Sequence, residues 1–316
     1  MIEDQLVFID TFAKLDSIMD KYKNKKIRVA YSGGSDSDNV MWLLRTRGYN
    51  VPAVFWDTGL EYAATYEHLD YMRSVGFSIE KVKAKNPIPT TLMKYGQPFV
   101  SKRVSDYLSR LQKHGFNFQN DGNKTFKDLT VKYENCKTAL SWWCNKFPYI
   151  TTNITYNRYL KEFLIEYGLP FSVSDQCCTW AKKQPSKDYT KKNHIDLMIL
   201  GIRKAEGGSR ARAYKTCFLP PKLHTYALYF PLFWWKKVEK QLFCGELNIK
   251  YSDCYTKYGM TRTGCAGCPF SRTFENELDI LRQYEPNLYK GATKMFNSSY
   301  EWTRKYKQFI ENEKRG

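Results

Sequence analysis

The chain opens on a helical rhythm. Between residues 3 and 24, Leu6, Phe8, Ile9, Phe12, Leu15, Ile18 and Met19 recur at three- and four-residue spacing, which predicts an amphipathic helix. The pattern then turns to short segments separated by helical ones. Ile27–Tyr31 predicts a buried strand, Val51–Trp56 a second and Ser78–Val82 a third. Helical stretches at Val40–Leu44 and Ala63–Val75 separate them. Strand alternating with helix predicts the α/β class, with a doubly wound, mainly parallel sheet.

From Pro87 to Pro170 the alternation stops. Helical patches at Ser101–Lys113, Lys137–Lys146 and Tyr156–Tyr167 are set among aromatic, basic and polar residues, which predicts a mainly helical insertion. Ile195–Gly201 predicts a return to the sheet, and the remainder from about residue 216 reads as loop-rich, then helical. Four segments follow: 1–86, a first half-sheet; 87–170, a basic and aromatic helical insertion; 171–215, the return to the sheet; and 216–316, a C-terminal region.

Composition narrows the classes. Apolar residues make up 42% of the 316 and aromatic residues 16%, which excludes a mainly disordered chain. The longest apolar run, Tyr226–Trp235, contains Pro231 and is too short to span a bilayer, so no membrane partner is expected. Residues 1–26 lack a basic start, an apolar core and a small-residue cleavage site, which predicts a cytoplasmic protein. Nine cysteines in a reducing compartment then read as thiols or metal ligands. Lys and Arg number 50 against 32 Asp and Glu, a net charge of +18. That balance suits an anionic partner, whether nucleotide, nucleic acid or membrane surface, and equally a solvated basic surface.

Candidate chemistry begins where the first strand ends. Ser32-Gly33-Gly34-Ser35-Asp36-Ser37 lies between a predicted strand and a predicted helix. Glycines let backbone approach an anion closely, and a helix start offers unpaired N–H groups with a partial positive charge. Ser32, Ser35 and Ser37 add hydroxyl donors; Asp36 is expected to cap the helix or help hold Mg2+. An ordinary capped Gly-Gly turn has the same appearance. Neither a Walker-type G-x-x-x-x-G-K-[ST] nor a G-x-G-x-x-G follows the strand, which disfavours the usual nucleoside-triphosphatase and dinucleotide sites.

The loop resembles the PP-loop of the ATP-pyrophosphatase superfamily. Asp57-Thr58-Gly59 at the second strand end, with Thr65 beyond it, is similar to the D-T-G element of the phosphoadenylyl-sulfate (PAPS) reductase branch. Gly201-Ile202-Arg203 with Glu206 and Arg210 resembles that branch's G-x-R-x-x-E-x-x-x-R element, and Pro231-Leu232 with Trp234 or Trp235 and Val238 its P-L-x-x-W segment. The resemblance implies an adenine nucleotide alpha-hydrolase-like fold and a site for ATP or adenylyl sulfate. Ser32, Gly33, Gly34, Ser35 and Ser37 would hold phosphate, with Asp57, Thr58 and Gly59 at the same sheet edge. Asp57 would accept from the adenosine moiety or orient Mg2+, unless it only starts a turn. Arg203 and Arg210 would clamp phosphate or sulfate oxygens, unless they serve as surface charge or pair with Glu206.

Five cysteines form a second constellation: Cys177-Cys178, Cys254, and Cys265 with Cys268 in a C-x-x-C. Adjacent side chains diverge, so Cys177 and Cys178 suit separate corners of a [4Fe–4S] cluster better than one tetrahedral zinc, the runner-up. Buried thiols are the plain alternative. Cys254 is an alternative ligand or a reactive thiol. The arrangement resembles the C-C…C-x-x-C motif of iron–sulfur adenylyl-sulfate reductases, with Lys182 and Lys183 in the expected basic stretch. Those reductases carry a nucleophilic cysteine in a C-terminal tail, and residues 309–316 contain none.

The leading expectation is therefore an enzyme that adenylates its substrate, releases pyrophosphate and transfers sulfur, with Asp36, Arg203 and Arg210 in the chemistry. The resemblance extends to DNA phosphorothioation sulfur-transfer enzymes. A nucleic-acid substrate would use Lys102, Arg103, Arg110, Lys113, Lys124, Lys127 and Lys132 on phosphates and Tyr107, Phe116, Phe118 and Tyr133 for stacking, unless these aromatics pack inward. A sulfur donor or thiol reductant protein would be the further partner. The alternatives are an adenylyl-sulfate or phosphoadenylyl-sulfate reductase using an external thiol, and a non-enzymatic iron–sulfur nucleic-acid-binding protein.

Overall fold

The computed structural model describes residues 5–207, 212–221 and 225–315. The chain divides into two compact units, 1–85 with 181–265, and 86–180 with 266–316.

The first unit is built on one six-stranded sheet. Its strands are β1 (Ile27–Tyr31), β2 (Ala53–Asp57), β3 (Ile79–Lys83), β4 (Leu197–Leu200), β5 (Phe218–Leu219) and β6 (Ala227–Tyr229). Their spatial order is β3-β2-β1-β4-β6-β5. Every neighbouring pair is parallel except β5 with β6. The fold class is thus α/β, as expected. Three helices belong to the first half: α1 (Leu6–Lys21), α2 (Ser35–Thr46) and α3 (Ala63–Ser74).

Period-two alternation sorts the strand residues onto two faces. Val29, Tyr31, Ala53, Phe55, Leu197, Ile199, Ala227 and Tyr229 share one core with Phe8 and Leu15 of α1, Val40 and Leu44 of α2, and Leu69 and Met72 of α3. Val54 and Met198 point the other way and pack with Tyr189 and Ile195. Strands covered on both faces read as continuous apolar runs, which is why β1, β2 and β4 stand out in the sequence. β5 and β6 lie in the region expected to be loop-rich. With two and three residues they are too short to show any periodicity.

The chain adds β2 and then β3 on one side of β1, and β4 on the other. The strand order reverses between β1 and β4, the point where open α/β sheets leave a crevice at the carboxyl ends of their strands. Ser32–Gly34 and Gly201 follow those two strands directly.

The second unit is helical. Its core gathers Phe99, Leu108, Phe116, Phe118, Tyr133, Trp142, Trp143, Phe163 and Tyr306. Phe116, Phe118 and Tyr133, expected as stacking platforms for bases, are buried there, and Tyr107 stacks on Trp142 at 5.0 Å. The inward-packing alternative is the one adopted, because a segment without a sheet to cover builds its core from its own large apolar side chains, and the aromatics are the largest of them. Lys124 and Lys132 pair with the buried Asp121 at 2.6 and 2.9 Å. The helix Asn297–Glu313 belongs to this unit: Tyr306 Oη donates to the Arg158 carbonyl at 2.6 Å, and Trp302 Nε1 to that of Gly168 at 3.1 Å. No described helix is long and apolar enough to cross a membrane.

Candidate active site

The loop after β1 is fastened to itself. Ser37 Oγ donates to the Gly34 carbonyl at 2.7 Å and accepts from Ser32 N at 3.3 Å; Gly34 N donates to Ser32 Oγ at 3.3 Å. Gly33 has φ +69°, and a Cβ there would stand 2.8 Å from Thr65 Cγ2. Gly34 caps α2, and Ser35, Asp36 and Ser37 form its first turn. Gly201, after β4, is pressed against that turn. A Cβ on it would lie 2.8 Å from the backbone carbon and oxygen of Asp36. The close approach at the strand-order reversal therefore requires glycine.

Two cations converge on the same turn. Arg203 Nε donates to Asp36 Oδ1 at 3.0 Å. Lys240 Nζ stands 2.8 Å from that oxygen and 2.5 Å from Ser35 Oγ. Burial pushes Asp36 up, but Lys240 and Arg203 more than offset it and hold the carboxyl below its usual range. Arg203 thus pairs with Asp36 on the loop itself. Arg210, expected as its partner in an anion clamp, lies outside the described residues.

Lys240 was not singled out from the sequence. Its signal is helical register: it lies three residues before the fully buried Phe243, which places a lysine on the inward face of Lys237–Glu246. Tyr255 and Thr263 were also missed. Their hydroxyls lie 3.0 Å apart, and a Cβ on Gly34 would meet them at 3.1 and 3.4 Å. They add two hydroxyl groups to the loop's surroundings.

Behind the loop lies a buried polar chain. Tyr31 Oη donates to Asp38 Oδ1 at 2.7 Å, and His68 Nε2 stands 2.9 Å from Asp38 Oδ2. Asp38 is fully buried. This network joins β1, α2 and α3 beneath the Ser32–Ser37 loop.

The Asp57-Thr58-Gly59 element ends β2. Asp57 Oδ1 accepts from Gly59 N at 2.9 Å and from Tyr66 Oη at 2.7 Å, so the carboxylate holds its own turn. Thr58 Oγ1 donates to Glu61 Oε1 at 2.6 Å. Burial raises the Glu61 pKa, against the pull of Lys182 and the Thr58 hydrogen bond. Thr58 Oγ1 is 3.9 Å from Cys265 Sγ, and Thr65 Oγ1 is 3.8 Å from Cys254 Sγ. Two of the candidate cysteines therefore lie along the edge that carries the loop.

The other three, Cys177, Cys178 and Cys268, belong to the second unit. Cys177 and Cys178 sit in the turn Gln176–Cys178, ahead of a π-helical stretch at Thr179–Lys183. Tyr300 Oη donates to the carbonyl of Gly267, beside Cys268. Among the described residues, no three of His, Cys, Asp or Glu stand together closely enough to hold a metal ion.

Residues 149–271 match the family model of the phosphoadenosine phosphosulfate reductase domain, a span that includes Arg203, Lys240 and all five candidate cysteines but not the loop at 32–37. No curated protein matches the chain. Among solved structures, PAPS reductase from Candida auris in its phosphate complex is similar at 12% identity and a TM-score of 0.42, over 76% of this chain and 81% of that one. FMN adenylyltransferase from Candida glabrata, with FAD and inorganic pyrophosphate, is similar at 12% identity and a TM-score of 0.45. That likeness covers 82% of this chain and 61% of the other, less than two thirds of its length. The U34-tRNA thiolase NcsA from Methanococcus maripaludis with its [4Fe–4S] cluster is similar at 16% identity and a TM-score of 0.39, over 96% and 79%. At these values the likenesses carry nothing about substrate or chemistry.

Proposed function

We propose, from a chain whose residues 149–271 are of the PAPS reductase kind, that this is a PP-loop enzyme working on the phosphate chain of an adenine nucleotide. One observation carries the reading. The Ser32–Ser37 loop and the start of α2 lie where the strand order reverses, with Arg203 delivered to the same turn from the end of β4.

The loop residues divide the work. Backbone N–H groups of the first turn of α2, with the hydroxyls of Ser32, Ser35 and Ser37, would bind phosphate oxygens. Arg203, held by Asp36, would face the charge that builds on the attacked phosphorus and leaving oxygen. Asp36 is already engaged by two cations, so a Mg2+ ion accompanying the nucleotide would compete with them for it.

The reaction we favour is attack of a substrate oxygen on the α-phosphorus of ATP. The O–P bond forms, the bond to the leaving pyrophosphate breaks, and a sulfide or persulfide donor then displaces AMP. Pyrophosphate release from ATP, measured with and without added nucleic acid, tests it; absence of both turnover and ATP binding overturns it.

A second reading, reduction of adenylyl or phosphoadenylyl sulfate by an external thiol, is favoured by Cys254 and Cys265 beside Thr65 and Thr58. Thiol attack on the sulfate sulfur would expel the nucleotide, and a second thiol would release sulfite and leave a disulfide. Sulfite release from either nucleotide with a dithiol present separates the two readings. An iron–sulfur centre is supported by cysteine spacing alone. Iron and acid-labile sulfide at near-stoichiometric amounts after anaerobic purification would establish it, and a colourless protein would remove it.

A further inference from the structure

Lys240 stands where a purely structural lysine is hard to account for. It reaches the first turn of α2, the positive end of that helix, where a cation is disfavoured. Its side chain is only 16% exposed, so most of its hydration is lost. The carboxylate oxygen it meets already accepts from Arg203 at 3.0 Å. Among the described residues, the charged groups gathered there are Lys240, Arg203, Asp36 and Glu206, whose carboxyl neighbours that of Asp36. These four charges balance, and Asp38 in the same turn is taken up by Tyr31 and His68. A second buried cation on one carboxylate adds little net stability, because its desolvation cancels the Coulomb gain.

What the second cation does supply is a charge that can move. The backbone beneath Lys240 is fixed. Phe243 and Trp235 are fully buried, Trp235 Nε1 donates to Thr11 Oγ1 at 2.9 Å, and Lys236 N donates to Glu239 Oε2 at 2.8 Å at the helix start. The lysine stem is flexible and its ammonium is a compact point charge. Nζ can leave Asp36 without moving its helix, and Arg203 remains to neutralise the carboxylate. Within the turn, Lys240 meets Ser35 and Asp36, one step along the helix from the Ser32–Gly34 bend. A single phosphate group can be satisfied by the bend and its amides. A second anionic group attached to it would find in Lys240 the nearest cation that can move toward it.

We propose that Lys240 is the specificity-determining residue of the site: it transfers from Asp36 to the anionic group beyond the α-phosphate, and so makes the loop prefer a nucleotide carrying such a group over a nucleoside monophosphate. The inference rests on the reading of the loop as an adenine-nucleotide site. The test is calorimetric binding of ATP and of AMP to the full chain, in wild type, Lys240→Met and Lys240→Arg. Loss of one charge-assisted hydrogen bond predicts that Lys240→Met weakens ATP about tenfold or more, and AMP less than about threefold. Lys240→Arg keeps most of the ATP affinity.

An equal loss for both nucleotides would make Lys240 a support of the loop rather than a reader of charge, and would overturn the proposal. So would unchanged ATP binding in Lys240→Met. Failure of wild type to bind either nucleotide would instead overturn the loop reading itself. Thermal unfolding of each variant accompanies the titrations; if Lys240→Met does not fold, the ATP-to-AMP ratio is read on Lys240→Gln.

Discussion

The two units bury different things. The helical unit fills its interior with aromatic rings: Trp142, Trp143, Phe99 and Phe163 are fully buried. The more deeply buried of its carboxylates among the described residues, Asp121, is matched by Lys124, Lys132 and the Tyr133 hydroxyl, and Glu285 is the other. The sheet unit buries charge at its strand ends. Asp38, Asp57, Glu61 and His68 all lie within or behind the loops that follow β1 and β2. Glu61 is held there against the effect of burial on its ionisation. The helical unit is arranged as a stable body. The sheet unit tolerates electrostatic cost at one edge, the pattern expected where a fold keeps polar groups ready for a ligand.

The contrast breaks most easily at Trp143. This side chain packs on Phe116 and Phe118 with ring centroids 5.3 and 5.6 Å away, and its Nε1 donates to the Gly122 carbonyl at 3.0 Å. Trp143→Ala removes that packing and orphans the carbonyl, so about 3–5 kcal/mol of stability is expected to go. Urea unfolding measures it. If the helical unit serves stability, the protein that remains folded binds ATP as wild type does; a matching loss of affinity would erase the distinction between the units.

Gly201→Ala tests the other side. The added Cβ would meet backbone atoms of Asp36 at 2.8 Å, and backbone cannot step aside as a side chain can. Overpacking of this kind costs about 1–3 kcal/mol, here by separating the end of β4 from the start of α2. The balance is the reverse of that for Trp143→Ala: a modest fall in melting temperature and a disproportionate loss of ATP affinity, read by titration calorimetry.

The sequence announces these two regions unequally. β1, β2 and β4 are legible because strands covered on both faces need continuous apolar runs, and the loop at Ser32–Ser37 is legible because its glycines and serines fall where strand meets helix. What joins distant segments is not legible. Nothing in the pattern of 266–316 announces that Trp302 and Tyr306 complete the core begun by Phe99 and Phe163. The choice of Asp36 as the partner of Arg203 was equally hidden, since Glu206 is nearer in sequence. Aromatic residues in a basic insertion gave no hint of direction; Phe116, Phe118 and Tyr133 point inward because that unit has no sheet to cover.

Asp121→Asn sharpens the comparison through pH. Although burial opposes ionisation, the hydrogen bonds from Lys124, Tyr133 and Lys132 hold this carboxyl well below the usual carboxylate range. A carboxyl whose pKa is depressed on folding contributes stability that is complete above the unfolded value, about 3.9, and is lost as pH falls through the folded value. Asn cannot accept two charge-assisted bonds, so about 1–3 kcal/mol should be missing at pH 7. The gap between wild type and variant, followed by urea unfolding from pH 7 to pH 2, should close toward the acid end. A gap that stays constant would show that Asp121 acts through shape rather than charge.

Glu61→Gln should give the smallest effect and the opposite slope. Burial raises the pKa of Glu61, with Asp57 adding to it, while Lys182 and Thr58 pull it down only in part. For a carboxyl with a raised folded pKa, the folded state binds the proton more readily than the unfolded chain, whose value is about 4.3. The ionised group therefore weakens the fold above its folded pKa, and the penalty lifts as pH falls toward the unfolded value. Gln keeps an oxygen to accept from Thr58 and carries no charge, so the variant is expected to equal or exceed wild type by up to about 1 kcal/mol at pH 7, with the difference shrinking at pH 4. Thermal unfolding at the two pH values reads both terms. A variant less stable than wild type at pH 7 would mean that Lys182 already compensates the carboxylate, and that the sheet unit carries its buried charge as comfortably as the helical unit carries Asp121.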